Sequence, residues 1–479
     1  MSPQAAEAAV SIALALTVVA SAAFAARTLS RWAAWDPAGP IALIAGAPVL
    51  PHVSLFFSLS LDDLLPLVGL LMLVWRRPVP RLTSDRLLRW LLLAVAVVTI
   101  ARIATAVVNG GGPDGTLKML AQAIARPMVL VGIVGYVAFA APESLRHRWV
   151  AVSVAAVGTF EAMFGLLAFL VRLPGGSGIE AARQLTSLYG VCPGRITGSL
   201  GLSANHLGAV FVLSVPITLG LAISDSSWRR WAWMVAAAAQ SAALILTFTR
   251  SSIVIAVILS VAFLVYQRRF VVLAAIATLT VATLFAAFSA SCHTTPGGSL
   301  GGRLSDGNDR MALWYAAGRV ALDHPVVGVG LDRMNEVVRA NPARYRDTPF
   351  GPATSSAHNV ILLAAAETGI AGGLGTLGIN VGLGVLVLRC AWRARRRERA
   401  VVFAMALALA GFLVQGMVNN LFSVPATSMV FALVIGALAG SRPPGSRDPA
   451  GDVSPGATPP TGPYTSPSLD PLPSPDGEH

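Results

Sequence analysis

The chain has 479 residues, 55% of them hydrophobic and 12% charged, with a mean hydropathy of +0.68. That balance excludes a water-soluble globular protein. The net charge of +12 does not mark a nucleic-acid binder either, because the Arg residues sit in short clusters between apolar runs rather than on one basic domain. The three cysteines, Cys192, Cys292 and Cys390, have no metal-ligand spacing, which argues against zinc or iron–sulfur chemistry.

Apolar runs long enough to cross a bilayer as helix recur along the chain, and a helix satisfies its own backbone in lipid. The expected fold is therefore all-α and polytopic, with about 12 transmembrane helices (11–13) by the 20-residue criterion. In chain order the cores are 8–26, 40–56, 61–75, 87–108, 118–140, 149–171, 201–223, 231–248, 252–266, 270–290, 361–388, 400–419 and 424–440. The second and third are short and interrupted by Pro, and one of them is a candidate re-entrant segment. The first has no basic stretch before it and reads as a retained helix.

Arg sets the orientation. RRPVPRLTSDRLLR from Arg76, RHR at Arg146, WRRW at Arg229, QRR at Gln267 and RCAWRARRRER from Arg389 fall on alternate turns, which makes their side cytoplasmic. The other side then receives the loop of about 172–200, the short turn at Arg250 and the long polar segment 291–357. The domains expected are an N-terminal transmembrane bundle (1–194), a core (195–440) that includes the outward loop 291–357, and a tail (441–479). The tail is rich in Pro, Gly and Ser and poor in large apolar residues, so it cannot bury a core and reads as disordered and cytoplasmic.

The outward loop carries its own helix signal. GNDRMALWYAAGRVALDHPVVGVG opens on Asn/Asp, continues with helical spacing and stops at His324-Pro325 before a Gly-rich turn. Arg310 and Trp314 are one turn apart there, which suits a guanidinium held by an aromatic ring or, equally, an interfacial Trp anchor beside a solvated Arg. His324 reads as a helix-ending residue.

Arg250, in LTFTRSSIV, stands between two runs too close for a real loop, so it sits near a membrane surface and there meets an anion such as phosphate or snorkels to headgroups. Arg195, in CPGRITGSLGLSANHLG, precedes a Gly-rich turn before Asn205 and His206. That is an anion cradle at a helix start or an ordinary loop Arg.

His358 and Asn359 stand where the loop returns to the membrane. An imidazole there is a candidate general base, or else a hydrogen-bonding residue of the helix start. Glu367, nine residues on, faces another direction and is expected to pair with an Arg as a structural group. Cys192 and Cys292 both fall on outward loops, where a disulfide between them is permitted.

Taken together, these stretches resemble the O-antigen ligase and polymerase superfamily. The resemblance rests on R-x-x-G with a following Asn (Arg195, Gly198, Asn205), T-x-T-R (Thr247 to Arg250) and R-x-x-x-W (Arg310, Trp314). It continues with H-P-x-x-G-x-G (His324 to Gly330), A-H-N-x-x-L from Ala357, and E-x-G-x-x-G (Glu367 to Gly372). Thr249 stands where the family commonly has Ser, and Ala204 where it often has Pro.

The resemblance implies a metal-independent membrane glycosyltransferase of the GT-C type, without a cofactor. Such an enzyme takes a glycan from a polyprenyl-diphosphate carrier and passes it to a glycan, lipid or protein acceptor at the outer face of the membrane. It implies that Arg195, Arg250 and Arg310 bind the diphosphate and that His358 is the base, with Asn205, Trp314, His324, Asn359 and Glu367 supporting them. The motifs are shared by polymerases and ligases and do not choose between them.

A single Lys, Lys118, among many Arg, with enrichment in Ala, Gly and Pro, suggests a GC-rich bacterial genome and hence a bacterial cytoplasmic membrane. The competing reading is a transporter of polysaccharide or lipid-linked glycan, with Arg102, Arg126 and Glu161 inside early spans as its best support. A structural scaffold would leave the outward Arg set unexplained.

Overall fold

The computed structural model describes residues 86–110, 113–140, 143–171, 196, 203–247, 249–268, 306–353, 357–396, 400–421 and 425–440. All of them belong to one compact unit ending at Ser441. The expected spans before residue 86 and at 270–290, the residues Arg195, Cys192 and Cys292, and the tail lie outside the described residues.

The apolar runs become helices close to where their composition places them: α1 (Arg86–Asn109), α2 (Pro113–Ala140), α3 (Glu143–Val171), α4 (Ala204–Ser224), α5 (Trp228–Leu246) and α6 (Arg250–Tyr266). After the polar segment come α9 (Val360–Arg396), α10 (Ala400–Gly416) and α11 (Pro425–Ala439). Among the described residues, four helical stretches are long and apolar enough to cross a membrane: Arg86–Asn109, Arg146–Leu166, Ala204–Ser224 and Val360–Ala394. Shorter apolar helices, Arg250–Tyr266, Ala400–Gly416 and Thr427–Ala439 among them, pack with these. The architecture is that of an all-α membrane protein.

Helix α4 is the hub. It is apolar all round, and Leu207, Phe211, Leu213 and Ile217 are fully buried, as expected of a helix enclosed by neighbours. It packs against α3, α5, α6 and α10. By contrast α1 and α9 pair with each other and expose Trp90, Leu93, Ile100, Leu374 and Val381, apolar faces suited to lipid.

The polar segment folds into a cap. It comprises α7 (Asp306–Asp323), α8 (Met334–Ala340), one turn of π-helix (Pro342–Arg346) and two antiparallel two-residue strands, β1 (Asp347–Thr348) and β2 (Gly351–Pro352). Helix α7 ends immediately before His324-Pro325, because Pro cannot continue it. Leu313, Ala316, Ala317 and Val320 of α7 bury against Val329, Met334, Val338 and Tyr345, and this cluster continues into Ala357, Leu363 and Ala366. The cap and the first turns of α9 therefore share one core, which fixes the cap over the bundle end where α9 begins.

A second connection joins the cap to the bundle. Helix α9 breaks at Gly369, whose φ of 79° and ψ of 175° no helix contains. The segment after α7 lies in the break: Val329 N–H donates to Ala366 O (3.0 Å), Gly330 N–H to Glu367 O (3.1 Å), and Ile370 N–H to Pro325 O (2.8 Å). Helix α1 reaches the same segment, with Thr105 Oγ1 donating to Val327 O (2.5 Å) and Asn109 Nδ2 to Gly328 O (3.3 Å). Backbone groups freed by the kink are thus satisfied by the cap, the condition for irregular backbone at membrane depth.

Candidate active site

Three helix starts meet beneath the cap. Ser203 is the N-cap of α4. Thr249 is the residue before α6, and its hydroxyl donates to Ala204 O (3.1 Å) and Asn205 Oδ1 (3.4 Å), which ties the start of α6 to the start of α4. Asn359 precedes α9, and its Oδ1 accepts the backbone N–H groups of Ile361 (3.0 Å) and Leu362 (3.1 Å) as an N-cap. Each start presents the positive end of a helix dipole, a setting that favours anions.

His206 connects the first start to the loop between α10 and α11. Its Nε2–H donates to the Asn420 carbonyl (3.2 Å), which leaves Nδ1 to accept the Ser203 hydroxyl (2.6 Å). From the same loop, Asn419 Nδ2 donates to Ser251 Oγ (3.1 Å), and Gln415 Nε2 donates to Ser252 Oγ (2.6 Å). The loop between α10 and α11 is held by both α4 and α6.

His358 stands opposite. It lies within electrostatic reach of His206 on one side and of Arg310 on the other. Its φ of 46° puts a non-glycine residue in the left-handed region, where backbone strain is tolerated only when surrounding contacts hold it, and such residues cluster at working sites. Burial, with the Arg310 charge added, lowers its pKa from the ordinary 6.5. The ring is therefore neutral at neutral pH, the form a base needs.

Arg250 is the first residue of α6 and is exposed. Arg310 is half-buried on α7. The expected contact between Arg310 and the Trp314 ring does not form: the cation–π contacts among the described residues are Arg319 on Tyr315 (5.3 Å) and Arg344 on Tyr345 (5.9 Å). Tyr315 lies at i−4 from Arg319 on the exposed side of α7, whereas Trp314 buries its Nε1 without a partner. His324 is exposed and its backbone N–H closes the last turn of α7 onto Val320 O (3.0 Å).

Glu367 lies within electrostatic reach of Arg102, the guanidinium that a pairing role calls for, and its carboxylate also accepts the Asp332 backbone N–H.

Sequence reasoning missed two features of this site: His206 as a bridge to Asn420, and the loop residues Asn419 and Asn420 themselves. The Ser203-x-x-His206 spacing, three residues at a helix start, was a usable signal for the first. Nothing local marks the second, since Asn419 and Asn420 are brought in by tertiary packing.

Residues 234–377 match the O-antigen ligase family. That segment is O-antigen ligase-like. It contains Arg250, the whole cap, His358 and the α9 kink, and leaves out the start of α4 with Asn205 and His206 and the loop between α10 and α11. The match supports the O-antigen ligase and polymerase superfamily and, with it, ligase or polymerase chemistry on a lipid-linked glycan in a membrane. No curated protein matches the chain.

Proposed function

We propose that the protein is a metal-independent GT-C-type glycosyltransferase of about 12 membrane spans. It would move a glycan from a polyprenyl-diphosphate carrier to a hydroxyl acceptor at the outer face of a bacterial cytoplasmic membrane. The observation that carries the proposal is the half-buried His358, within electrostatic reach of Arg310 where the starts of α4, α6 and α9 converge.

The step is a displacement at the anomeric carbon. His358 takes the proton of the acceptor hydroxyl, the acceptor oxygen bonds to the anomeric carbon, and the bond from that carbon to the diphosphate oxygen breaks, its electron pair leaving with the diphosphate. Arg310 and Arg250, with Arg195 from the preceding loop, would stabilise the charge growing on the leaving group, an electrostatic contribution that grows toward the transition state. The convergent helix starts add to it. On this reading residues 195–440 form the catalytic core on the N-terminal bundle 1–194, and Cys192 and Cys292 pin two outward loops.

The test is transfer by the reconstituted full chain from a polyprenyl-diphosphate glycan in EDTA, wild type against His358→Ala, with products read by size. A ladder of products identifies a polymerase and a single transferred species a ligase. Full activity in His358→Ala would remove the base, dependence on added divalent metal would remove metal independence, and vesicle uptake of the glycan without turnover would favour a transporter.

A further inference from the structure

A cavity of about 420 Å³ lies between α1, α2, α9 and α11, within the size range of sites that take small ligands or lipid chains. Its walls are apolar for most of their length, with Leu91, Val95, Leu130, Val134, Leu383 and Ile435 along them. At one end it is lined by Arg102 of α1, Arg126 of α2, Glu367 of α9 and Asp332 of the cap. It also reaches Asn420, whose carbonyl holds His206.

The charged end brings two guanidinium groups and two carboxyl groups together. Glu367 is engaged by the Asp332 backbone N–H, and the Asp332 side chain is exposed. Arg102 Nε is buried without a hydrogen-bond partner, although the residue lines the cavity. Arg102 lies within electrostatic reach of Arg126 and also of the Glu367 and Asp332 carboxyl groups, yet its Nε meets no acceptor. A buried guanidinium nitrogen without an acceptor is costly, and phosphate oxygens fit the guanidinium fork.

The location favours a lipid. Arg102 is seven residues before Asn109, so it lies about 10 Å along the helix from the cap contact at Gly328. Behind it α1 exposes Trp90, Leu93 and Ile100, so the cavity is one helix away from an apolar, bilayer-suited face. A ligand with one anionic head and an apolar chain meets both ends of the cavity.

We infer that this cavity binds a phosphate-headed lipid, its phosphate on Arg102 and Arg126 and its chain between α1, α2, α9 and α11. The lipid is either the polyprenyl carrier, in which case the inference rests on the proposed function, or a phospholipid of the bilayer, in which case it stands apart from that function.

The test is equilibrium binding to the full chain in detergent, read by native mass spectrometry. The probes are polyprenyl phosphate, phosphatidylglycerol and, as the head-free control, polyprenol. Either phosphate-headed lipid should bind in preference to polyprenol, and whichever binds tighter identifies the source. Arg102→Gln should weaken that binding about ten-fold or more, the scale of one charge-assisted hydrogen bond. Ala364→Phe, which fills the cavity and leaves both Arg residues in place, should weaken it as well. Equal binding of polyprenol and the phosphate-headed lipids would overturn the inference, as would unchanged binding in both variants. Should Arg102→Gln fail to fold, Arg126→Gln and Ala364→Phe decide. The glycan-transfer assay stays separate: wild type that binds lipid through Arg102 but never transfers glycan removes the proposed function and leaves this site standing.

Discussion

Ile370 N–H donates to Pro325 O across 2.8 Å, one residue after α9 breaks at Gly369. The bond stitches the Gly-rich turn after α7 into the kink of α9, so two motifs more than forty residues apart in sequence form one structure. A Cβ on Gly369 would run into the Val326 carbonyl, and a Cβ on Gly328 would run into the Glu367 backbone. Both glycines also have positive φ, 79° and 64°. Gly369→Ala therefore meets a backbone penalty of about 1–3 kcal/mol, because that combination of φ and ψ is essentially confined to Gly, and a steric one besides. Thermal melts in detergent should show a clear loss of stability in Gly369→Ala and Gly328→Ala, and little change in the sterically open Gly384→Ala of the same helix. An unshifted melt for Gly369→Ala would mean that the seam is not what holds the cap.

The Asn359 cap gives a milder and more local prediction. Its Oδ1 accepts two backbone N–H groups at the start of α9, and removing such a cap costs about 1 kcal/mol. Asn359→Ala should lower the melting temperature modestly, and Asn359→Ser should restore it. If Asn359→Ala leaves the melt intact and abolishes transfer, the amide acts on substrate rather than on the helix.

His358 makes the pH dependence specific. Burial and the Arg310 charge both lower its pKa from 6.5, so the base stays neutral, and transfer stays active, below the pH at which a free imidazole would protonate. The acidic limb of the rate profile should fall below 6.5. Arg310→Gln removes a like charge that disfavours the imidazolium, so the limb should move up in pH. The stability sign runs the same way: the unfolded chain binds this proton more readily, so His358 costs stability as pH falls below 6.5 and nothing above it. A limb that stays put in Arg310→Gln would separate the two residues electrostatically.

The legibility of this chain followed range. Helix positions from α1 to α11 were readable because apolar runs, Arg clusters and the His324-Pro325 stop are local signals that survive packing. His358 and Arg310 were readable as a pair only through motif resemblance, since one lies after the cap's strands and the other on its first helix. Chain distance hid the His206–Asn420 bond and the partner of Glu367. The Glu was expected to seek a guanidinium, and Arg102 is within its electrostatic reach. The backbone N–H that it also accepts, from a folded-back loop, leaves no trace in composition. The Arg310–Trp314 ring contact failed for a related reason: a shared helix face permits such a contact without requiring it, and on this helix the ring contact is Arg319 on Tyr315.

Arg250 and Arg310 separate binding from chemistry. Arg250 begins α6 on the tie between Thr249 and Asn205, and Arg310 lies on the cap helix beside His358, so each can approach a diphosphate from a different wall. A hydrogen bond to a charged group contributes about 1.5–3 kcal/mol, which converts to about ten- to hundred-fold in affinity. Arg250→Ala and Arg310→Ala should each raise the donor KM by that factor, with Lys at either position recovering part of it because a point charge lacks the fork. His358→Ala should do the opposite, removing kcat while leaving donor binding nearly intact. Direct binding of the polyprenyl-diphosphate donor to all three variants distinguishes these cases. If His358→Ala weakens binding as much as the Arg variants do, the imidazole is a diphosphate ligand and the base must be sought elsewhere, His206 being the nearest imidazole on the α4 side.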